Sequence, residues 1–230
     1  MNYKPIWLAA VIALLLPHAT SRAEILFQSA LPGGYGSDSG STIGGYSGSG
    51  QILGAAFSLS QAVHVDSIGG LFFSSPSNGA DDIFGAIVQL GSSTALPSGD
   101  PFAVNKVLGT VVFHVGSSTA VDVFAPLSLN LPAGDYAVVF GSGYFGSIGI
   151  AGAPAGGGGL SARYLYWGDS FGPTSWHEGG HTSERFIVTG TVPEPASVAL
   201  LLVGAALCLS RRSLRTHQRS VLPRKSIRMA

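Results

Sequence analysis

Charge is what this sequence has least of. Of 230 residues only 10% are Asp, Glu, Lys or Arg, against about 25% in an ordinary soluble domain. Mean hydropathy is high, at +0.37. Together these imply membrane-directed segments, a weakly charged extracellular domain, or both. Cysteine is nearly absent: one residue excludes a disulfide framework and a zinc ribbon. Cations are scarce in the middle of the chain. Only Lys106, Arg163 and Arg185 fall between Glu24 and Thr191, against eleven acidic residues, a net charge of −8. That stretch has no basic patch to displace counterions from phosphate, which argues against a nucleic-acid partner. Helical periodicity is also missing outside the two ends. The Gly-rich stretches lack the lysine of a phosphate-binding loop.

What is present sits first at the ends. Residues 1–23 carry the three parts of an export signal: Lys4, the apolar run Ile6 to Leu16, then Pro17 and small residues at Ser21 and Ala23. Eleven apolar residues are too few for a span of about 20. Cleavage is expected after Ala23, leaving Glu24 as the mature N-terminus.

The C-terminus is read as a membrane-stalling segment. Pro193-Glu194-Pro195 precedes the apolar run 196–210, and seven of the twelve cations lie from Arg211 onward. A helix over 196–210 is roughly 22 Å long, and Arg211 and Arg212 can snorkel toward the interface. The basic tail, 213–230, is expected to stay cytoplasmic by the positive-inside rule, which leaves the preceding domain outside. A Pro-Glu-Pro tripeptide, a short apolar helix and an arginine cluster resemble the PEP-CTERM sorting signal over 192–212. Eighteen residues follow Arg212, a longer tail than such signals carry. The resemblance implies processing near Pro193–Pro195 by an exosortase-type enzyme of a Gram-negative-type bacterium. It also implies passage through the inner membrane to the cell surface or extracellular matrix, in an exopolysaccharide context.

Between the ends, 24–191 holds 32 of the 33 glycines. Short apolar runs, partly alternating and bounded by Gly, Ser, Pro or Asp, predict strands. They fall at about 24–29, 51–59, 62–73, 83–90, 107–115, 120–124, 127–131, 135–141, 162–167 and 184–191. Many short strands and no helix predict an all-β fold with a single β-sandwich ectodomain. The Gly/Ser stretch 33–50 reads as a flexible surface loop, 155–159 as a second, and Leu131 to Tyr136 as a tight turn starting a hairpin arm. The segment order, from QILGAAFSLS through LNLPAGDYAVVF and the RYLYW strand to FIVTGT, resembles the choice-of-anchor domains, type R in particular. That family implies a jelly-roll-like sandwich and no known activity.

Candidate chemistry is sparse. His177-Glu178-Gly179-Gly180-His181 matches the zincin string, which needs a helix to bring both histidines to one face. Two adjacent glycines disfavour that helix, so the segment reads as a loop, with a loop metal site using Asp169, His177, Glu178 or His181 as the minor alternative. His64 and His114 read as hydrogen-bonded or solvent-facing strand residues, and Asp81-Asp82 as a turn pair. No catalytic residue and no cofactor are expected. Tyr164, Tyr166, Trp167 and Trp176 form an aromatic cluster. A buried aromatic layer is one reading; carbohydrate contact by ring stacking is the alternative.

Overall fold

A computed structural model of the chain describes residues 23–33, 40–44, 51–74, 82–155, 158, 160, 162–168, 175–179, 183–193 and 204. The chain divides into Met1–Val192 and Pro193–Ala230. The expected signal peptide (1–23) other than Ala23, Glu194, Pro195, the apolar run other than Gly204, Arg211, Arg212 and the basic tail lie outside the described residues. Among the described residues no helix is long and apolar enough to cross a membrane.

The first unit is all-β. Twelve strands are described: β1 Glu24–Gln28, β2 Gly40–Ile43, β3 Ile52–Leu59, β4 Val63–Ser74, β5 Asp82–Gln89, β6 Val107–His114, β7 Val121–Leu131, β8 Gly134–Gly141, β9 Ala151–Pro154, β10 Arg163–Gly168, β11 Ser175–Gly179 and β12 Phe186–Thr191. They form two antiparallel sheets in a sandwich-like arrangement. In the first, β12 lies between β1 and β4, while β7 pairs with β4 and β2 with β9. β4 pairs with β12 over His64–Gly70 and then with β9 at Phe73 and Ser74. The second sheet runs β11-β10-β3-β8-β5-β6.

The core lies between the sheets. Leu53 and Phe57 of β3, Ile83 and Ile87 of β5, and Tyr136, Val138 and Phe140 of β8 meet Val65, Ile68, Phe72, Phe186 and Val188 from the first sheet. Phe140 sits centrally, 5.0 Å from the Phe72 ring and 5.4 Å from Phe186. The alternate residues of the second sheet are also buried. Ile52, Phe84, Ala86, Val88, Ala137, Val139, Leu165, Trp167 and Trp176 form a second cluster on its outer face. This explains apolar runs such as Ile83 to Val88 that lack clean alternation: both faces of the strand are covered, and period 2 disappears. The cover comes from the β5–β6 connection through Phe102 and from the β8–β9 connection through Tyr144. Phe102 lies 5.8 Å from the Trp176 ring and 6.0 Å from Phe84.

Four expectations are corrected. Within 33–50, Gly40–Ile43 is a strand rather than loop, paired with β9, and Ile43 is fully buried. In the second expected loop, Ala155 bridges to Glu184. The two strands expected at 120–124 and 127–131 are one, β7. Pro126 is tolerated because β7 is an edge strand with a single neighbour, and it pairs Ser67 where β4 is irregular between Val65 and Ser67. The Leu131–Tyr136 turn is not a hairpin: β7 belongs to the first sheet and β8 to the second, so Pro132 and Ala133 carry the chain across the sandwich. The Tyr136 hydroxyl donates to the Pro132 carbonyl at 2.9 Å and clamps that crossing.

Candidate functional site

The aromatic cluster is placed by β10 and β11. Side chains alternate along a strand, so Tyr164 and Tyr166 point into the sandwich while Leu165 and Trp167 point to the outer face. Trp176 lies directly opposite Trp167 in the β10–β11 register. The outer face is roofed, leaving Trp167 only 2% and Trp176 7% exposed. The Trp176 indole N–H donates to the Pro101 carbonyl at 2.6 Å, tying the roof down. Tyr164 is buried, and Tyr166 is half-buried with its ring stacked on His177, centroids 5.1 Å apart. The four aromatics expected to offer a stacking face for sugar are thus split between two faces, and three are buried. The pleat of one strand cannot present neighbours 166 and 167 on the same side.

Tyr164 joins a polar link between the sheets. Its hydroxyl donates to Ser41 Oγ at 3.3 Å, and Ser41 Oγ donates to Glu184 Oε1 at 2.8 Å. Burial first, and the Glu184 carboxylate second, push the Tyr164 phenol well above its ordinary range.

His177 and Glu178 lie on strand β11, which corrects the expected loop. Successive strand residues face opposite ways, so the geometry a zincin takes from a helix is not formed here. The Glu178 carboxylate is gripped by Arg163, Nε to Oε1 at 3.0 Å and Nη2 to Oε2 at 2.7 Å. That pairing holds its carboxyl below the ordinary glutamate range, opposite to what a general base at neutral pH requires. Asp169 and His181 lie outside the described residues. Among the described residues no three metal-ligating side chains converge. His64 shares Nδ1 with Asn130 Oδ1 at 2.7 Å, and His114 shares Nδ1 with Asp82 Oδ1 at 3.0 Å; both are hydrogen-bonded strand residues. Asp81 lies outside the described residues.

A cleft that the sequence did not point to opens beside these strands. Its volume is about 370 Å³, and its walls include Phe27 and Gln28 of β1, Phe57 and Ser58 of β3, Ser93 and Arg163. Phe27 and Phe57 stack at 5.0 Å with their planes 20° apart and form an apolar wall. Arg163 brings no free donor to it. Its remaining N–H groups are taken by the carbonyls of Ser93, Thr94 and Ala95, so all five donors are satisfied. The other polar groups on the rim are uncharged: the Gln28 amide, whose Oε1 lies 3.5 Å from Arg185 Nη2, the Ser58 hydroxyl, which donates to Asp135 Oδ1 at 2.5 Å, and the Ser93 hydroxyl. Such a site suits a neutral molecule with one apolar face and several hydroxyls. The pair Phe27 and Phe57 lies 30 residues apart in sequence on different sheets, so no local pattern joins them.

Of the expected sorting residues, only Pro193 is described, and it is exposed. No protein-family model matches the chain, and no curated protein matches it.

Proposed function

We propose that this chain is a non-catalytic, exported β-sandwich protein sorted through its C-terminal segment to the cell surface or extracellular matrix. There it plays a structural part in an exopolysaccharide context. In this reading an exosortase-type enzyme processes the segment at Pro193-Glu194-Pro195. The run 196–210 holds it in the inner membrane until then, with Arg211 and Arg212 on the cytoplasmic side.

One observation carries the reading. The first strand starts at Glu24, immediately after the expected cut, and the last strand ends at Thr191, immediately before Pro-Glu-Pro. The two pair with each other, so the described strands begin and end at the bounds that the expected signals set. The described residues with catalytic potential support it further, because Glu178, His64 and His114 are all engaged in strand-to-strand contacts. Alternation of successive strands between the sheets, from β6 through β10, supports the jelly-roll-like topology that choice-of-anchor domains imply.

The test is mass spectrometry of the mature protein together with a Pro193→Ala, Glu194→Ala, Pro195→Ala variant. The proposal expects an N-terminus at Glu24, and full-length triple variant retained in the inner membrane. Unchanged C-terminal processing of the variant defeats the sorting part.

The second reading, carbohydrate binding, is favoured by the cleft rather than by the aromatics of β10 and β11. The Phe27–Phe57 wall with a neutral amide and hydroxyl rim matches the two faces of a pyranose ring. Retention on purified exopolysaccharide, lost in Gln28→Ala with unfolding unchanged, supports it. Equal retention of the variant removes it.

A further inference from the structure

Sheet edges offer unpaired backbone donors and acceptors, and stable proteins guard them. The described edge strands of this domain differ sharply in how they are guarded. β1 is five residues long, begins with Glu24 and is irregular between Ile25 and Phe27. β2 is four residues long. β7 carries Asp122 and Pro126. β11 is five residues long and carries Glu178. β6 is the least guarded: its one irregularity, at Leu108, lies near its start and leaves Gly109–His114 in regular register with β5. It is eight residues, VLGTVVFH, with no acidic residue, no Lys or Arg and no proline. Among the described strands it pairs only with β5. Its outward side chains Thr110, Val112 and His114 are exposed. Val112, on the outer face of β6, is a large apolar side chain left 41% exposed.

We propose that the β6 edge is a self-association surface, on which a second copy of this chain adds its own β6 in antiparallel register to make one continuous twelve-stranded sheet.

The choice of a second copy rests on complementarity. An added strand must be extended, free of proline and free of unpaired charge where it meets Val111 and Phe113. Among the described edge strands, β6 itself is the one long enough that satisfies this. A two-fold axis through a β6 residue sets each strand against the same strand reversed, the self-complementary arrangement of isologous dimers. Directly opposite residues in an antiparallel pair share a face. An axis through Val111 therefore sets Thr110 against the partner copy's outward position 112, and inward Gly109 against inward position 113. Period 2 is kept, so inner side chains stay inner. Electrostatics favours the same approach. The stretch 24–191 carries a net charge of −8, and two such domains repel over most orientations. Along Val107–His114 they meet without an acidic side chain on either strand.

The test uses the full-length chain in detergent micelles, with light scattering for mass and amide hydrogen exchange for the backbone. Thr110→Lys and Val112→Lys place a cation on exposed β6 positions, and Val104→Lys is the control on an exposed residue of the β5–β6 connection. Wild type is expected to dimerise with slowed exchange over 107–114. Each β6 variant is expected to weaken dimerisation roughly tenfold or more, because two-fold symmetry brings the cation in twice. Val104→Lys is expected to behave as wild type. Tryptophan emission reports that the fold persists in each variant. A monomeric wild type, or a dimer equally strong in Val112→Lys, overturns the proposal. So does a dimer in which 107–114 exchanges at the monomer rate, since association then runs through another part of the chain.

Discussion

Removing the Phe102 ring tests whether the outer cluster is a true second core. The residue lies in the β5–β6 connection, and its ring meets Phe84, Tyr144, Phe145 and Trp176 at centroid distances of 5.8 to 6.2 Å. Phe102→Ala forfeits transfer of a half-buried phenyl group, about 1–2 kcal/mol. It also loses ring–ring contacts worth about 0.5–1.5 kcal/mol each where geometry is good. The neighbours can collapse partly into the gap, so the expected total is about 2–4 kcal/mol. For a domain of this length that is roughly 5–12 °C in Tm. The assay has a built-in local probe. Trp7 falls in the expected signal peptide, so mature protein emits from Trp167 and Trp176, both within the cluster and nearly inaccessible. Phe102→Ala is expected to shift their emission to the red and to raise acrylamide quenching below the unfolding transition. Val104→Ser, at an 86% exposed position two residues away, should change neither. If Phe102→Ala keeps native emission and unfolds at the wild-type temperature, the β5–β6 connection is a passive loop and the two-core description is wrong.

Three further outcomes are expected. Asp122→Ala leaves the Arg185 guanidinium, 6% exposed, with the Gln28 amide, 3.5 Å away, as its remaining side-chain partner among the described residues; the cost is about 2–3 kcal/mol by urea titration, below the ~3–5 of a fully buried pair because Asp122 is 36% exposed, and an effect under about 0.5 kcal/mol refutes the burial argument. Gly54→Ala sets a methyl against the Val138 carbonyl, where β3 is hemmed in by β8 and β10; about 2–3 kcal/mol is expected from such overpacking, and a wild-type denaturation midpoint would show that β3 shifts freely. Tyr164 keeps its proton in the folded state beyond the pH at which an unfolded tyrosine, near pKa 10, releases it, so its contribution is complete below about pH 10 and is lost as pH rises further; the alkaline fall in stability should be shallower in Tyr164→Phe, and an identical slope assigns the loss elsewhere.

Most of the strand framework was legible because the inward positions of β1, β4, β8 and β12 are filled with Val, Ile, Leu and Phe between Gly- and Ser-rich breaks. The missed strands lack that signal. β2 is GSTI and β9 is AGAP, and each is held by backbone pairing with the other rather than by propensity. β11 was hidden by the HEGGH string, whose glycines suggest a turn. Gly179 tolerates a strand there because the Tyr164 ring occupies the space a methyl would take. The cleft was illegible for a different reason. Its walls come from β1, β3 and the start of β10, and its one cation is already saturated by contacts 15 and about 70 positions away. The aromatic cluster was visible in composition, but only the roof over the outer face decided that its tryptophans are buried.

The pairing of the first strand with the last has a mechanical consequence. Glu24 stands opposite Gly190, and Ile25 opposite Thr189, so both ends of the domain emerge at one edge. A force pulling those two ends apart opens the β1–β12 ladder one bond at a time, like a zip, and meets little resistance. A force applied at Thr191 alone, with the load borne by the body of the domain, acts along β12 instead. That strand is flanked on both sides, by β1 and by β4 over His64–Gly70, so the bonds of two ladders are sheared together and must yield together. The domain is therefore built to be hung from its C-terminal strand and to give way when stretched from end to end.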